Sequence, residues 1–447
     1  MTVPPPNTMK KALLTLALIL FVPVSQLPAV SESGAIFLLI SPGARAGGMG
    51  EAQVAVANDA YASYWNPAGL AFLPNSEIAL MHVNWLPNLV SDMYYEFLAF
   101  RKQFPTLGTL GGHIIFLNLG EQHRTGEYGE DLGIFTSFMF AVSGSYGAHI
   151  SQNASIGLNV KIIHQKLAEL GAGGEEGRGV STDFAFDMGY LQKGFFTPRL
   201  DLGATLTNIG PKIAFIDEDQ ADPMPTNFTL GFNLKLVDSE YNKLNLVLDV
   251  DKMLVASYPD MDWDADGKVG YYDQDGNFSG PGAEYNRKGQ RETAHTDPVY
   301  LAVFTSWLDD WLLGGDIDKP GEDDFRDGII GGYDLVDGEA IPTGKEWGDP
   351  GYGKYNDAGR LELGSGDTRS FTRELDELVF NFGLEYWYSK YFALRGGYYY
   401  DKVGKINNPT FGIGLRFAGY GFDAGFTLGE PGHPLTNTMR FSLNMEF

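Results

Sequence analysis

The stretch DWDADGKVGYYD, residues 262–273, has the spacing of a calcium-binding loop. Such loops place oxygen ligands at positions 1, 3, 5, 7 and 12 and a glycine at position 6. The ligand positions here are held by Asp262, Asp264, Asp266, the Lys268 carbonyl and Asp273. The twelfth position is normally Glu, and no EF-hand helices flank the loop. The pattern therefore indicates either a structural Ca²⁺ site or a solvated acidic loop.

A second set of charged residues alternates with large apolar residues near the C-terminus: Glu385, Arg416, Asp423, Arg440 and Glu446. Because a buried charge without a partner is costly, an ion-pair network with one another and with the N-terminal segment explains them better than substrate binding. The seven His are scattered, and no nucleophile elbow or phosphate loop occurs. We predict that the protein is not an enzyme; an outer-membrane protease or lipase is the enzymatic alternative.

The overall composition restricts the class of protein. The 447 residues carry a net charge of −25, which argues against nucleic acid as a partner because no basic patch offsets it. The chain has no Cys, so it has neither disulfides nor thiolate metal sites. Aromatic residues make up 13% of the chain and Gly contributes 57 residues. This composition fits several domains or one large barrel.

Residues 1–30 are predicted to be a signal peptide. Within them, MKKALLTLALILFVPVSQLPA (residues 9–29) combines two lysines, a short apolar stretch and a small residue at its end. The alternatives are a membrane anchor or a buried helix, but the apolar stretch is short for a membrane span. We therefore expect the mature chain to be exported.

From about Ser76 onward, the chain repeats strand-length segments in which apolar and polar residues alternate, separated by Gly, Asn, Asp and Pro. The last segment, TMRFSLNMEF, places Met439, Phe441, Leu443 and Met445 on one face. A β-sandwich buries such a face, whereas a transmembrane barrel turns it to lipid and turns the charged face to its lumen. Strand lengths near ten residues and tyrosines at strand ends favour the barrel over a secreted β-sandwich array.

The strand count follows from parity. Fifteen candidate segments are present, but bacterial single-chain barrels normally have an even number of strands. The least regular candidate is PVYLAVFTSWLDDW (residues 298–311). It is excluded because the directions of the neighbouring strands place outer loops both before and after it. We therefore predict an all-β fold: a 14-stranded antiparallel outer-membrane β-barrel over residues 76–447, in which the last strand pairs with the first. Its terminal Phe447 is similar to the signal read by the barrel assembly machinery.

Residues 31–75 precede the first strand and suit a plug. Glycines allow close backbone approach or positive φ, and an Asn-Pro pair is typical of turns. The residues concerned are Gly47, Gly48, Gly50, Asn66, Pro67 and Gly69. Two interpretations stay open, a static plug and a mobile hatch that gates a substrate.

Residues 254–376 are predicted to be a long acidic extracellular insertion. Between residues 259 and 376 there are 27 acidic and 11 basic residues, a net charge of −16. Most of the excess negative charge therefore lies in one outer region. The nearby YDQDGNFSG is interpreted as a Gly-rich turn rather than as a second, poorer Ca²⁺ site.

Several stretches resemble the PorV/PorQ family of outer-membrane proteins. FLLISPGARAGGMGEAQVAVANDAYASYWNPAGLAFL (37–73), NLVLDVDK (245–252), VFTSWLDDW (303–311) and ELDELVFNFGLEYWYSKYFALRGGYYYDK (374–402) carry the resemblance. The YWNPAGLA core is shared with the FadL-like long-chain fatty acid transporters. The resemblance spans the mature chain apart from loop insertions.

The resemblance implies a function in the type IX secretion system. A PorV-like barrel accompanies exported cargo through the C-terminal signal domain of the cargo. It docks on the translocon and delivers the cargo to the cell-surface attachment machinery. Phe304, Trp307 and Trp311 would then form the partner-binding surface, because exposed aromatic residues on an outer loop suit an interface. Their alternative role is packing against the loop's own insertion. The alternative function is FadL-like transport of hydrophobic small molecules across the outer membrane of a Gram-negative bacterium.

Overall fold

The structure is a computed structural model whose compact unit begins at Ser33. It describes residues 33–88, 90, 92–125, 130–168, 179–215, 221–258, 260–261, 270–280, 283–309, 333–336, 339–342, 354–355, 361–363, 371–429 and 437–447. The predicted signal peptide, residues 1–30, lies outside these ranges.

Fourteen antiparallel strands form a closed barrel in which each strand pairs with its neighbours in chain order. The strands are β1 Ser76–Asn84, β2 Tyr94–Phe104, β3 Gly108–Thr125, β4 Asp131–His149, β5 Ala154–Ala168, β6 Gly179–Gln192, β7 Leu200–Ile209, β8 Asn227–Asp238, β9 Asn242–Met253, β10 Val379–Tyr388, β11 Phe392–Asp401, β12 Ile406–Phe417, β13 Tyr420–Thr427 and β14 Thr438–Glu446.

The other elements are short and lie before β1 or between β9 and β10. The α-helices are α1 Ala44–Gly47, α2 Ala62–Trp65, α3 Val299–Thr305 and α4 Phe371–Asp376, and the 3₁₀-helices are η1 Ile36–Leu39, η2 Val54–Val56 and η3 Pro67–Phe72. Short strands of the insertion are Ser257–Tyr258, Asp260–Met261, His295–Thr296, Tyr333–Val336, Glu339–Pro342, Lys354–Tyr355 and Leu361–Leu363. Among the described residues, no helix is long and apolar enough to cross a membrane.

The two faces of the wall confirm the predicted alternation. On β12, Phe411, Ile413 and Leu415 are exposed on the outside, whereas Asp423 on β13 is buried inside. Since the sheet closes on itself, these large apolar side chains are not interlocked between two sheets, and the β-sandwich alternative is wrong. The apolar outer face meets lipid, as the barrel prediction requires.

The barrel closes between β14 and β1. The paired strands run in register from Glu77–Glu446 to Val83–Arg440. Beyond this ladder, the Phe447 N–H donates to the Ser76 carbonyl at 2.9 Å and the Ser76 N–H donates to the Phe447 carbonyl at 3.0 Å. The terminal residue therefore completes the wall, because every backbone group within a bilayer must find a partner in the protein.

Two local expectations have clear outcomes. The excluded segment 298–311 contains helix α3 rather than a strand, which confirms the strand count. The segment DKVGKINNP (401–409), whose Gly, Asn and Pro residues are typical of a loop, is mostly strand, because β12 already begins at Ile406. Asp401 pairs directly with Ile406 across the turn, so this outer connection is short.

Candidate functional site

The N-terminal segment, residues 33–75, fills the barrel lumen and is called the plug below. Its start lies at the outer mouth, where the Gly34 N–H donates to the Pro223 carbonyl of an outer loop at 2.9 Å. Its end joins β1 at the opposite, periplasmic end, where the turns are short. A hydrophobic core forms between plug and wall, and it includes the stacked rings of Tyr61 and Phe97, 5.2 Å apart.

Glycines on both sides let the plug backbone touch the wall. A Cβ at Gly48 would lie 2.7 Å from the Gly412 Cα on β12, and a Cβ at Gly397 on β11 would lie 2.1 Å from the Gly50 nitrogen. Gly50 also has φ of +62°, which side-chain-bearing residues rarely adopt. Gly47 meets the Arg440 side chain in the same way, and Gly69 approaches the Ala57 carbonyl. Both predicted roles of these glycines, close approach and positive φ, are therefore seen.

Asn66 and Pro67 form the predicted turn chemistry. The Asn66 side chain accepts a hydrogen bond from the Ala68 N–H at 3.1 Å and caps η3, with Pro67 in the first helical turn. Its amide also donates to the Tyr190 carbonyl on β6 at 3.0 Å and to the Val54 carbonyl at 3.1 Å. One side chain thus ties two parts of the plug to the wall.

The predicted ion-pair network is present inside the barrel. Glu385 on β10 accepts two hydrogen bonds from the plug residue Arg45, both at 2.8 Å. Asp423 pairs with Arg416 at 2.7 Å. Arg440 pairs with the plug residue Glu51 at 2.7 Å. Because each carboxylate of this network has a cation, the buried charges are compensated, and two of the pairs hold the plug to β10 and β14.

The sequence prediction missed four members of this network, Arg45, Glu51, Asp59 and Arg395, and misplaced one. Arg395 joins the two halves, since it contacts Glu385 at 2.9 Å and Asp423 at 2.7 Å. The two-residue alternation, if applied to β11, would have identified Arg395 as a lumen-facing residue. Arg45 and its second partner Asp59 lie in a segment without such periodicity. Glu446 is exposed at the periplasmic end and accepts a hydrogen bond from Asn75 instead.

An outer-mouth cavity remains above the plug. It has a volume of about 220 Å³. Its lining combines the apolar or aromatic residues Ile36, Leu39, Ile40, Trp85 and Tyr399 with polar residues that include Glu51 and Arg440. Below this cavity, the plug backbone contacts the wall.

Helix α3 and residues 306–309, which follow it in the insertion, have an inverted pattern of burial. The small or polar residues Ala302, Ser306 and Asp309 are buried. The bulky side chains are exposed: Tyr300, Leu301 and Phe304 of the helix and Trp307 and Leu308 after it. We call this set the α3 face. Phe304 is 75% exposed, so of the predicted partner-binding residues Phe304 and Trp307 lie on one surface; Trp311 lies outside the described residues.

The predicted Ca²⁺ loop falls largely outside the described ranges, which include only Asp273 among its ligand residues. The Asp273 carboxylate accepts hydrogen bonds from the N–H groups of Asn277 at 2.8 Å and Asp275 at 3.0 Å. The Asn277 hydrogen bond lowers the pKa of Asp273. These bonds build the Gly-rich turn that was predicted for YDQDGNFSG. Among the described residues, no group of three or more His, Asp or Glu side chains could hold a metal ion.

The closed wall, its lipid-facing apolar side and a charge-paired lumen filled by the N-terminal segment define a plugged outer-membrane β-barrel. The sequence profile described as "Type IX secretion system protein PorV" matches residues 26–260, more than half of the chain. The chain belongs to the PorV family. It is accordingly a type IX secretion barrel of the outer membrane of a Gram-negative bacterium.

Solved structures that are similar to this chain include two toluene transporters and a FadL homologue. The toluene transporter TbuX of Ralstonia pickettii is 13% identical, with 92% of this chain and 100% of that chain covered and a TM-score of 0.46. The toluene transporter TodX of Pseudomonas putida is 13% identical over 90% and 96%, with a TM-score of 0.44. A FadL homologue of Pseudomonas aeruginosa is 10% identical over 91% and 98%, with a TM-score of 0.41. No curated protein sequence matches the chain.

Proposed function

We propose that this PorV-family barrel carries exported proteins from the type IX translocon to the attachment machinery at the cell surface, without catalysis. The partners in this proposal are the translocon and the C-terminal signal domains of the cargo. The observation that carries it is the α3 face, which exposes bulky apolar side chains on the extracellular side. Exposed apolar patches of this kind mark interaction sites.

The α3 face suits protein docking because its chemistry is that of an interface core. Aromatic residues are enriched in such cores and supply a large contact area, and Phe304, Trp307 and Tyr300 provide it here. The surrounding insertion is strongly acidic, so we expect the partner surface to have an apolar groove with basic residues at its rim. That arrangement would give both affinity and an attractive long-range field.

Co-purification from detergent extracts tests this proposal. The variant Phe304→Asp places a charge at the centre of the α3 face and should reduce recovery of the translocon and cargo signal domains at least tenfold. The matched control is Phe278→Asp, because Phe278 is also an exposed aromatic residue of the insertion. Recovery that is equal in wild type, Phe304→Asp and Phe278→Asp would refute docking through the α3 face.

The alternative function is transport of long-chain fatty acids or other hydrophobic small molecules, with the plug as a hatch. It is favoured by the apolar lining of the outer-mouth cavity. It requires the plug to leave its contacts with the wall, which the glycine contacts and the Arg45–Glu385 pair oppose. Saturable uptake of a fluorescent fatty acid by proteoliposomes, lost when the cavity residue Leu39 is changed to Arg, would support transport.

A further inference from the structure

Lys252 occupies an unusual position on the barrel wall. It is the penultimate residue of β9, at the outer end of the strand. On the same strand, Asp249 faces the lumen, where its carboxylate accepts hydrogen bonds from the plug N–H groups of Gln53 and Val54 at 2.7 and 2.8 Å. Since side chains alternate along a strand, Lys252 points to the outside of the barrel. It lies directly opposite Phe228 of β8 in the strand register.

The ammonium group of Lys252 is nevertheless covered by protein. Its side chain is only 2% exposed and its Nζ contacts the carboxylates of Glu374 at 3.1 Å and Glu377 at 2.5 Å. Both glutamates lie just before β10, in or after α4. Burying an ammonium group costs several kcal/mol unless it is paired, so two carboxylates close to one lysine form a strong local anchor.

The second half of the anchor comes from the segment that follows α3. The Trp307 ring lies over Lys252, with Nζ 6.0 Å from the ring centroid, and meets the Phe228 ring edge-on at 5.9 Å. Asp309 is buried next to the same two glutamates, which act on it electrostatically. Lys252 therefore joins three parts of the chain that are far apart in sequence: β9, the α3 segment and the α4 segment.

We propose that Lys252 is the positioning residue of the α3 face. Through Glu374, Glu377 and Trp307 it holds the α3 segment against the outer end of β8–β10. One side of the Trp307 ring packs on the wall, while Phe304 and Tyr300 stay exposed. The docking role of this arrangement rests on the proposed function. Lys252 itself does not touch the partner, because its side chain is covered by its own chain.

Limited proteolysis of the full-length protein in outer-membrane vesicles tests the anchor. We expect Lys252→Met to increase the rate of cleavage within residues 254–376 at least tenfold and to reduce translocon recovery by a similar factor. Lys252→Arg, which keeps the charge, should stay within twofold of wild type in both assays. The matched control is Lys243→Met, because Lys243 lies on the same strand at its periplasmic end and is exposed.

A second variant guards against a general folding defect. Glu374→Gln with Glu377→Gln changes no barrel residue and should reproduce the faster cleavage while the heat-modifiable electrophoretic shift of the folded barrel is kept. Charge exchange, in which Lys252→Glu is combined with Glu374→Lys and Glu377→Lys, should restore the wild-type rate. A wild-type cleavage rate in both Lys252→Met and the double glutamine variant would overturn the proposal. Faster cleavage with unchanged translocon recovery would keep Lys252 as the anchor and refute the docking function alone.

Discussion

Single charged residues inside the barrel decide how the plug is held. Glu385 is the centre of the network because it pairs at once with Arg45 of the plug and Arg395 of the wall. All three side chains are buried. In such an environment the loss of Glu385 leaves Arg45 with Asp59 and Arg395 with Asp423 as their remaining carboxylates, so the buried positive charge is no longer fully compensated and the penalty exceeds the value of the pair itself.

Glu385→Ala should therefore destabilise the protein by about 3–5 kcal/mol. Removal of the carboxylate leaves the guanidinium groups of Arg45 and Arg395 buried without it. The quantity to measure is the free energy of unfolding in detergent, determined by urea titration. Glu446→Ala is the matched control, because the exposed Glu446 bonds only to a neutral amide in the contacts seen, and it should change stability by less than about 0.5 kcal/mol. Equal stability of the two variants would contradict the role of Glu385.

The predicted Ca²⁺ loop is a second prediction at the residue scale. Isothermal titration of the purified barrel with CaCl₂ should show binding that Asp264→Asn together with Asp266→Asn abolishes, because loop affinity depends on the number of charged ligands. Asp275→Asn, a change in the adjoining turn, should leave binding within twofold. Absence of Ca²⁺ binding by the wild-type protein would favour the solvated acidic loop.

The elements that position these residues act through backbone contact as much as through charge. Strands β4–β6 and β10–β13 present glycines to the plug, so its short helices lie directly against the wall. Close approach gives dense packing, and a void or an overlap is then costly. This packing favours the static plug over the hatch, since a hatch would have to break many such contacts together.

Two adjacent glycines of β11 test the packing of the plug. Gly397→Ala adds a methyl group that overlaps the Gly50 nitrogen, whereas Gly396 has open space around its Cβ position. We expect Gly397→Ala to displace the plug and to raise ion conductance in planar bilayers at least tenfold. Gly396→Ala should conduct like wild type. If the two variants behaved alike, the plug would not be held by the β11 contact.

The anchored α3 segment should respond to pH. Burial and the carboxylates of Glu374 and Glu377 raise the pKa of Asp309 to about 7, above the ordinary value for Asp of about 3.9. The docked state therefore favours the protonated form, and its stability falls as pH rises from about 4 to about 7 and then levels off. Lys252 opposes this shift only in part.

The corresponding measurement is the cleavage rate within residues 254–376, normalised to an unstructured peptide at each pH. Wild type should be cleaved more slowly at pH 5.5 than at pH 8, and Asp309→Asn should remove the difference. The exposed Asp275, changed to Asn, serves as the control and should keep the wild-type pH profile. If the pH dependence of the cleavage rate persisted in Asp309→Asn, a titratable group other than Asp309 would be its cause.

At the scale of the whole molecule, the barrel depends on closure between the two ends of the strand sequence. β14 pairs with β1, and Phe447 completes that pairing with Ser76. A lipid-embedded sheet with an open edge would leave several backbone groups unpaired, each at a cost of several kcal/mol. The C-terminal residue is thus part of the wall, in addition to its predicted role as an assembly signal.

Deletion of Phe447 should lower the amount of folded barrel in the outer membrane several-fold. The loss would combine an unpaired Ser76 with the missing terminal aromatic residue. Heat-modifiable barrel in outer-membrane fractions is the quantity to measure. Phe417→Ala is the control, because Phe417 is an exposed aromatic residue next to a periplasmic turn but lies away from the closure. A normal level of the deletion variant would exclude Phe447 from the assembly signal.

The sequence by itself determined the wall of this protein. Two-residue alternation is a local property, so it placed the strands, their lipid-facing residues and the strand count, and the Asn66–Pro67 turn was readable for the same reason. Only the tertiary structure decided which charges meet. Arg45 and Glu385 are 340 positions apart, and the closeness of Lys252 to Glu374 and Trp307 follows from how the insertion returns to the wall. Such contacts carry no periodic signal, because the first depends on closure of the barrel around the plug and the second on how the insertion folds over the outside of the wall.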